Sequence, residues 1–415
     1  MKIILFEVPT DGRTGEGGGQ LVRVACGLAA LTSQPVTITN VRGNREGGRG
    51  GGLKTQHVTS LSWLAKVTDA EVDGLFVGSK TLTFRPKRPP AGLTQRNFKI
   101  EADTDAASAL LILQAILPYV LFAGNDTNDP VVLDIHGGSN AHWSLGYEYF
   151  DQVLMPTLHE RFGIRIDREL KSRGWSIGPR SRGHITLKIH PVSKGQTLKF
   201  TPPRRLYTYP ESYEVRRIDA SIIVPMASHE RVQEELVTAL GDLYPDADIQ
   251  FKVVEDSGHD SRWSILLVAH SVAGIRWARD ALFSMPKNIR SGRDKFIQHA
   301  CSSLCKKLYE ETSLDGTVDE FLQDQLIFVQ ALAEGYSSFP RGQDPTTASS
   351  MDALVDKLGK LEVRDGARMR KEKTHEPFGH GSTHTTTARW VASELLPGAE
   401  FYNHGDVVKG IAFSV

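Results

Sequence analysis

The segment Asp11-Gly-Arg-Thr-Gly-Glu16-Gly-Gly-Gly-Gln20-Leu-Val-Arg23 follows a short apolar run, Ile3-Ile4-Leu5-Phe6. It leads into a stretch where Leu21, Val24, Leu28 and Leu31 recur at helical spacing. The run predicts a buried strand, and the spacing predicts a helix beginning near Gln20. Glycines between a strand and a helix let backbone approach a ligand closely and leave helix N-terminal N–H groups free for an anion. Glu16 is unexpected in a plain phosphate cradle, because a carboxylate repels phosphate. A divalent cation between the two would resolve the conflict. A tight turn carrying a solvated glutamate accounts for the same residues.

Outward from this segment the pattern recurs. Residues 35–41 alternate as a strand and are followed by Arg42-Gly-Asn-Arg45-Glu-Gly-Gly-Arg49, a glycine-rich loop with three arginines. Next comes a helical pattern (Leu53, Val58, Leu61, Leu64, Val67) with Gln56 and His57 near its start. Arginines opening onto a helix N-terminus suit an anion, although a solvated Arg/Gly linker has the same composition. Residues 81–84 and 98–100 read as strands. Residues 108–122 read as a buried helix containing Gln114, whose amide needs partners in the core or on a ligand. Residues 131–135 form a strand running into His136-Gly-Gly-Ser-Asn140, 147–162 a helix, and 185–189 a strand.

From about 195 to 289 the order changes to strand (218–224), helix (230–243), strand (249–254) and strand (263–269). A unit of this size suits an inserted small domain. Helices are then expected over 295–309 and 318–333, and strands over 401–402 and 411–415. The fold class expected is α/β (α+β). Residues 1–194 and 290–415 make a large domain of repeated α/β units, 195–289 an inserted smaller α/β domain, and 337–381 a mobile loop. Arg364, Arg368, Arg370, Lys371 and Lys373 concentrate positive charge at the end of that loop.

Composition narrows the function. The 415 residues carry 49 Lys plus Arg against 49 Asp plus Glu, so a nucleic-acid contact must come from a local patch. Three cysteines, two of them four apart on a helical pattern, fit neither a disulfide framework nor a structural zinc site, which points to a reducing compartment. The N-terminal apolar run is too short for a signal peptide, and the longest apolar run is too short to span a bilayer. Near the C-terminus, Gly381-Ser-Thr-His384-Thr-Thr-Thr387 sets one imidazole among hydroxyls. With no Cys, Ser or Lys motif offering a nucleophile, His384 is a candidate to attack an electrophile, though it would also pass as a loop residue. Asp324-Gln325 on the preceding helix would bring a carboxylate and an amide to the same pocket, or would form an exposed polar helix face.

Taken together, Asp11-Gly12, Glu16-Gly-Gly-Gly-Gln20, Arg23, Arg42, Arg45, Gln56-His57, Gly78-Ser79, Leu113-Gln114, His136-Gly-Gly, Phe321-Leu-Gln-Asp324-Gln325 and Ser382-Thr-His384 resemble the RNA 3'-terminal phosphate cyclases, in family order over most of the chain. The resemblance implies three repeated units, each of two helices on a four-stranded sheet, interrupted by a smaller α/β insert. It implies that a histidine takes AMP from ATP covalently, that AMP passes to an RNA 3'-phosphate, and that the 2'-hydroxyl closes a 2',3'-cyclic phosphate. His384 falls at that nucleophile and Glu16 at a metal-linked carboxylate serving Mg²⁺ or Mn²⁺. Gln114, Asp324 and Gln325 fall at nucleotide-pocket positions. Arg23, Arg42, Arg45, Gln56 and His57 fall where phosphates of ATP or RNA are handled. The chain departs from the family where Thr55 replaces an arginine, where Asn140-Ala-His-Trp-Ser-Leu-Gly replaces a proline-containing segment, and where Ser181-Arg182-Gly183 replaces a triple glycine. The partners expected are RNA 3' ends and ATP, with no membrane, in the nucleus or cytoplasm. The alternative is a non-catalytic relative that binds RNA or pre-ribosomal partners in ribosome assembly.

Overall fold

The computed structural model describes residues 8–44, 50–105, 107–203, 210–286, 292–342 and 369–415. The apolar run expected as a strand at residues 3–6, Arg45, and most of the 337–381 loop with Arg364 and Arg368 lie outside them. Strand β1 (Val8–Asp11) enters the glycine turn, and α1 (Gly19–Thr32) leaves it. Then come β2 (Val36–Thr39), α2 (Thr55–Thr68), β3 (Glu71–Asp73) and β4 (Leu82–Arg85). The sheet order is β1-β2-β4-β3, the first pair parallel and the rest antiparallel.

Strands β5 (Asn97–Glu101), β6 (Val131–Gly137), β7 (Arg165–Ser172) and β8 (Gly183–His190) give a second sheet, β5-β6-β8-β7, with the same senses. Its helices are α3 (Ala109–Leu121) and α4 (Met155–Phe162), the latter continuing a π-helical turn at Phe150–Leu154. A third sheet is built from β9 (Val215–Val224), β10 (Asp248–Asp256), β11 (Trp263–Ser271) and β12 (Arg276–Phe283) in the order β10-β9-β11-β12. The helix α5 (His229–Leu243) lies between β9 and β10 in the chain, and α6 (Arg293–Thr312) follows β12. The last sheet is β13 (Glu334–Ser338), β15 (Val407–Ile411) and β14 (Glu400–Tyr402), with Lys199 bridging in parallel to Glu334 at its edge. Its helices are α7 (Glu320–Leu332) and α8 (Thr383–Leu395).

Among the elements that differ from expectation, two show what overrides the local pattern. Grouping residues 290–415 with the large domain placed α6 beside the C-terminal helices. Its Ile297, Cys301, Leu304, Cys305 and Leu308 instead pack with Ile218, Val232, Leu236 and Trp263, in a core separate from the main one. Cys301 and Cys305 are buried free thiols there, and Cys26 is a buried free thiol in the main core. The expected terminal strand at 411–415 stops at Ile411. Ala412 turns to φ +52°, and Phe413 packs edge-on to Phe122 at 4.9 Å, so apolar burial draws the terminus off the sheet.

The helices meet in the middle. α1 packs on α3 and α8, α3 on α2, and α8 on α7. Leu21, Ala25 and Leu28 are fully buried, and each leucine contributes about 1.5–3 kcal/mol by leaving water. α7 is held at its start by Asp319, which is fully buried and accepts from the N–H groups of Phe321 and Leu322 (both 2.9 Å), from Ala278 N–H (2.8 Å) and from the Tyr149 hydroxyl (2.6 Å). Burial pushes its carboxyl up to about 6. Asp319→Asn places an amide N–H against donors. We expect a loss of about 1–3 kcal/mol, read as a lower thermal midpoint; an unchanged midpoint refutes that cap.

Candidate active site

The first turns of α1, α2 and α8 and the buried faces of α3 and α7 bring the polar side chains together. Gln20 and Arg23 are one helical turn apart on α1 and both are buried. Arg23 Nε donates to Gln114 Oε1 (2.5 Å) and its Nη2 donates to Gln20 Oε1 (3.0 Å). Gln20 Nε2 donates to Asp324 Oδ2 (3.0 Å), Gln325 Nε2 to Asp324 Oδ1 (3.0 Å), and Gln114 Nε2 to Gln325 Oε1 (3.0 Å). Five polar side chains from three helices thus form one network. Burial lowers the Arg23 guanidinium to about 10 and raises Asp324 to about 7.

Asp324 carries a pH signature. Its folded value lies above the ordinary 3.8, so folding takes up a proton, and stability from this group falls as pH rises through the interval between the two. Asp324→Asn removes that dependence. In thermal melts from about pH 5 to about pH 8, the gap between wild type and variant should therefore change with pH; parallel curves contradict it.

His57 lies at the start of α2, buried, and its Nδ1 accepts from Lys54 N–H (3.0 Å). The neutral ring therefore carries its proton on Nε2, which lies 3.4 Å from Arg23 Nη1. Two donors face each other there. Burial, then Arg23 and Arg42, hold His57 well below its usual range, so the ring stays neutral. A side chain on Gly19 would come within 2.6 Å of both Arg23 Nη1 and His57 Nε2. The glycine leaves open a place where an acceptor atom satisfies both donors. Arg42 is half-buried at φ +55°, with Nη1 3.4 Å from Gly52 O, and burial lowers its guanidinium too. Gln56 is half-buried on the same first turn of α2 as His57.

His384 lies in the first turn of α8, which Ser382 caps by accepting from Thr385 N–H (3.2 Å). The hydroxyl-rich segment is thus a helix start, not a loop. His384 Nδ1 is 3.9 Å from Glu16 Oε2. The carboxylate is nearly enclosed at 6 % exposure, while the imidazole is 46 % exposed. The separation is an ion-pair distance, longer than a hydrogen bond; it sets the carboxylate beside Nδ1 and leaves Nε2 available. Thr387, one turn on, accepts from Glu16 N–H (2.8 Å) and donates to Thr383 O (2.6 Å), tying the glycine turn to α8. Glu16 folds back over Gly18, where a side chain would meet its carboxylate at 2.1 Å.

The expected residues Glu16, Arg23, Gln114, Asp324, Gln325, His57 and His384 therefore meet around the start of α1. Gln20 and Thr387 join them with roles the sequence did not assign. For Gln20 the available signal was its spacing of three from Arg23 on one helix face. Among the described residues no group of three or more His, Cys, Asp or Glu stands close enough to hold a metal ion. No helix among the described residues is long and apolar enough to cross a membrane.

Mixed sheets and helices carrying a buried polar network beside a histidine–carboxylate pair define an α+β protein whose polar side chains gather at the start of α1. The chain belongs to the RNA 3'-terminal phosphate cyclase family, whose model matches residues 14–364. It is 31 % identical over 334 residues to the RNA 3'-terminal phosphate cyclase of Staphylothermus marinus, covering 80 % of this chain and 86 % of that one. It is 31 % identical over 344 residues to that of Methanopyrus kandleri (81 % and 89 %), and 28 % identical over 338 residues to that of Drosophila melanogaster (80 % and 85 %).

Proposed function

We propose that this protein converts an RNA 3'-terminal phosphate to a 2',3'-cyclic phosphate, using ATP and a covalent AMP on His384. The observation that carries the reading is the pair of donors, Arg23 and His57, converging over Gly19 beside the His384–Glu16 pair. A phosphate oxygen completes the first pair, and an exposed, oriented imidazole suits attack on phosphorus.

His384 Nε2 attacks the α-phosphorus of ATP; a P–N bond forms and the P–O bond to pyrophosphate breaks. An oxygen of the RNA 3'-phosphate then attacks the same phosphorus and releases the imidazole. The 2'-hydroxyl, losing its proton, attacks the 3'-phosphorus and expels AMP. Arg23, Arg42 and His57 hold phosphate oxygens, and the first-turn N–H groups of α8 add positive potential beside the reacting phosphorus. Gln114, Asp324 and Gln325 hold the nucleoside, and Arg45 and Gln56 contact phosphates of ATP or RNA.

A lone buried carboxylate fits Mg²⁺ or Mn²⁺ held mainly by nucleotide phosphates and water, so Glu16 would hold the ion, which neutralises phosphate charge when bound. We assign residues 1–194 and 290–415 to the catalytic domain and 195–289 to an insert. Within 290–415, α6 is the helix that packs against the core of that insert. His384 beside Glu16 favours this enzyme over an RNA- or pre-ribosome-binding protein without catalysis. Incubation with α-labelled ATP and Mg²⁺ tests the reading. Acid-labile, alkali-stable label on the folded chain supports it, and its absence at saturating ATP refutes it.

A further inference from the structure

Trp143 is 93 % exposed, the most exposed of the chain's large apolar side chains among the described residues. Its backbone is left-handed, at φ +63°, which costs a bulky residue of order 1–3 kcal/mol and persists only where the surroundings impose it. They do so here from both sides. Before it, Ser139 and Asn140 are buried, and Asn140 Nδ2 donates to Ser264 Oγ on β11 (3.2 Å). His142 N–H donates to Ser176 Oγ (3.0 Å). After it, the Ser144 and Ser108 hydroxyls hydrogen-bond at 2.5 Å, and Ser108 caps α3. Trp143 stands at the crest of a turn clamped at both feet. Its exposure is built in rather than slack.

Two neighbours indicate what it meets. Ser144 and Leu145 line a cleft with Gln114, Gln325, Leu111 and Phe328, so the turn borders the nucleotide side of the active site, with Trp143 outside the cleft. The hairpin that clamps it, where Trp175 pairs with Ser181, carries Arg180 and Arg182. Arg180 is exposed and has no ion pair among the described residues; Arg182 is exposed beside Asp105 (3.1 Å). Arg262 lies over Trp175, 5.6 Å from the ring centre, and donates to Pro179 O and Ser181 Oγ. A rigid exposed aromatic beside a hairpin that carries a free arginine is how proteins hold single-stranded nucleic acid: the cation takes the backbone and the ring takes a base.

We propose that Trp143 is a stacking platform for a base of the RNA substrate, with Arg180 on its backbone. This rests on the RNA-end reading above. The base adds no chemistry; the platform sets how the strand enters and how tightly it is held.

The test is equilibrium binding of a short 3'-phosphorylated oligoribonucleotide to the full chain without ATP, read by fluorescence anisotropy. Trp143→Ala, which removes an exposed ring and leaves the core intact, should weaken binding about 5- to 150-fold. Trp143→Phe should restore most of it, because any aromatic face stacks. Arg180→Ala should flatten the slope of log affinity against log salt by about 0.7. The KM for ATP in label transfer should be unchanged in all three. Equal RNA affinity of Trp143→Ala and wild type overturns the proposal, as does an effect confined to the KM for ATP. Neither result touches covalent AMP formation on His384, so this proposal and the catalytic reading fail separately.

Discussion

His384→Ala should abolish transfer of α-label from ATP to the protein while leaving the chain folded. The imidazole is 46 % exposed, and α8 is held by other groups: Ser382 caps the helix and Thr387 ties it to the glycine turn. The thermal midpoint should stay close to wild type, since exposed substitutions away from caps and cores usually fall within about 0.5 kcal/mol. Activity should fall to background, because the variant lacks the ring nitrogen that takes the phosphorus. Cyclisation should be lost together with labelling, since the second step consumes what the first makes. The measurement is a denaturing gel after incubation with α-labelled ATP, paired with a melt of the same preparation. Label retained on a folded variant would remove His384 from the mechanism. Label lost with cyclisation intact would mean that AMP reaches RNA without a stop on the protein.

The parts of this arrangement that sequence made legible are those coded locally. Leu21, Val24, Leu28 and Leu31 predicted α1 because all four face a core. Gly15 and Gly17 occupy φ +65° and +60°, so a glycine run before a helix had a backbone reason to be there. Among the strands that escaped, β3, β7 and β12 have charged residues on their open faces: Glu71 and Asp73 flank a single valine, and β7 reads Arg-Ile-Asp-Arg-Glu-Leu-Lys-Ser. A half-solvated strand of that composition carries too few apolar residues for a period of two to stand out.

The site divides the same way. Residue types were readable, and the repeated match of scattered pieces to one family located them. Their meetings were not readable. Glu16 N–H reaches Thr387 across 371 positions, Gln20 reaches Asp324 across 304, and Arg23 reaches Gln114 across 91. No local signal encodes such distances. The core an amphipathic helix joins is equally silent: α6 has the periodicity of a buried helix wherever it docks, and only the faces of α5, β11 and β12 show why it packs there.

Arg23→Met should be the second most damaging change, with failure spreading through the network. The guanidinium is buried, donates to Gln114 and Gln20, and faces His57 Nε2 at 3.4 Å. Removing it leaves the amide oxygens of Gln20 and Gln114 short of a charged donor. It also leaves Asp324 without the cation that counters part of its burial, pushing that carboxyl further up. Hydrogen bonds to a charged group contribute about 1.5–3 kcal/mol each, and if two are lost in the transition state, kcat/KM for label transfer falls at least about a hundredfold. Arg23→Lys should rescue little, because one ammonium cannot span Gln114, Gln20 and the place above Gly19 at once. A second readout separates this from general damage. Arg23 is among the causes that hold His57 low, so in the variant the His57 imidazole should titrate at higher pH, visible as a shifted ring-proton curve by NMR. Full rescue by lysine would mean that positive charge alone matters at this position. An unmoved His57 would mean that the two donors over Gly19 do not share one site, and the phosphate assigned to them would have to be held elsewhere.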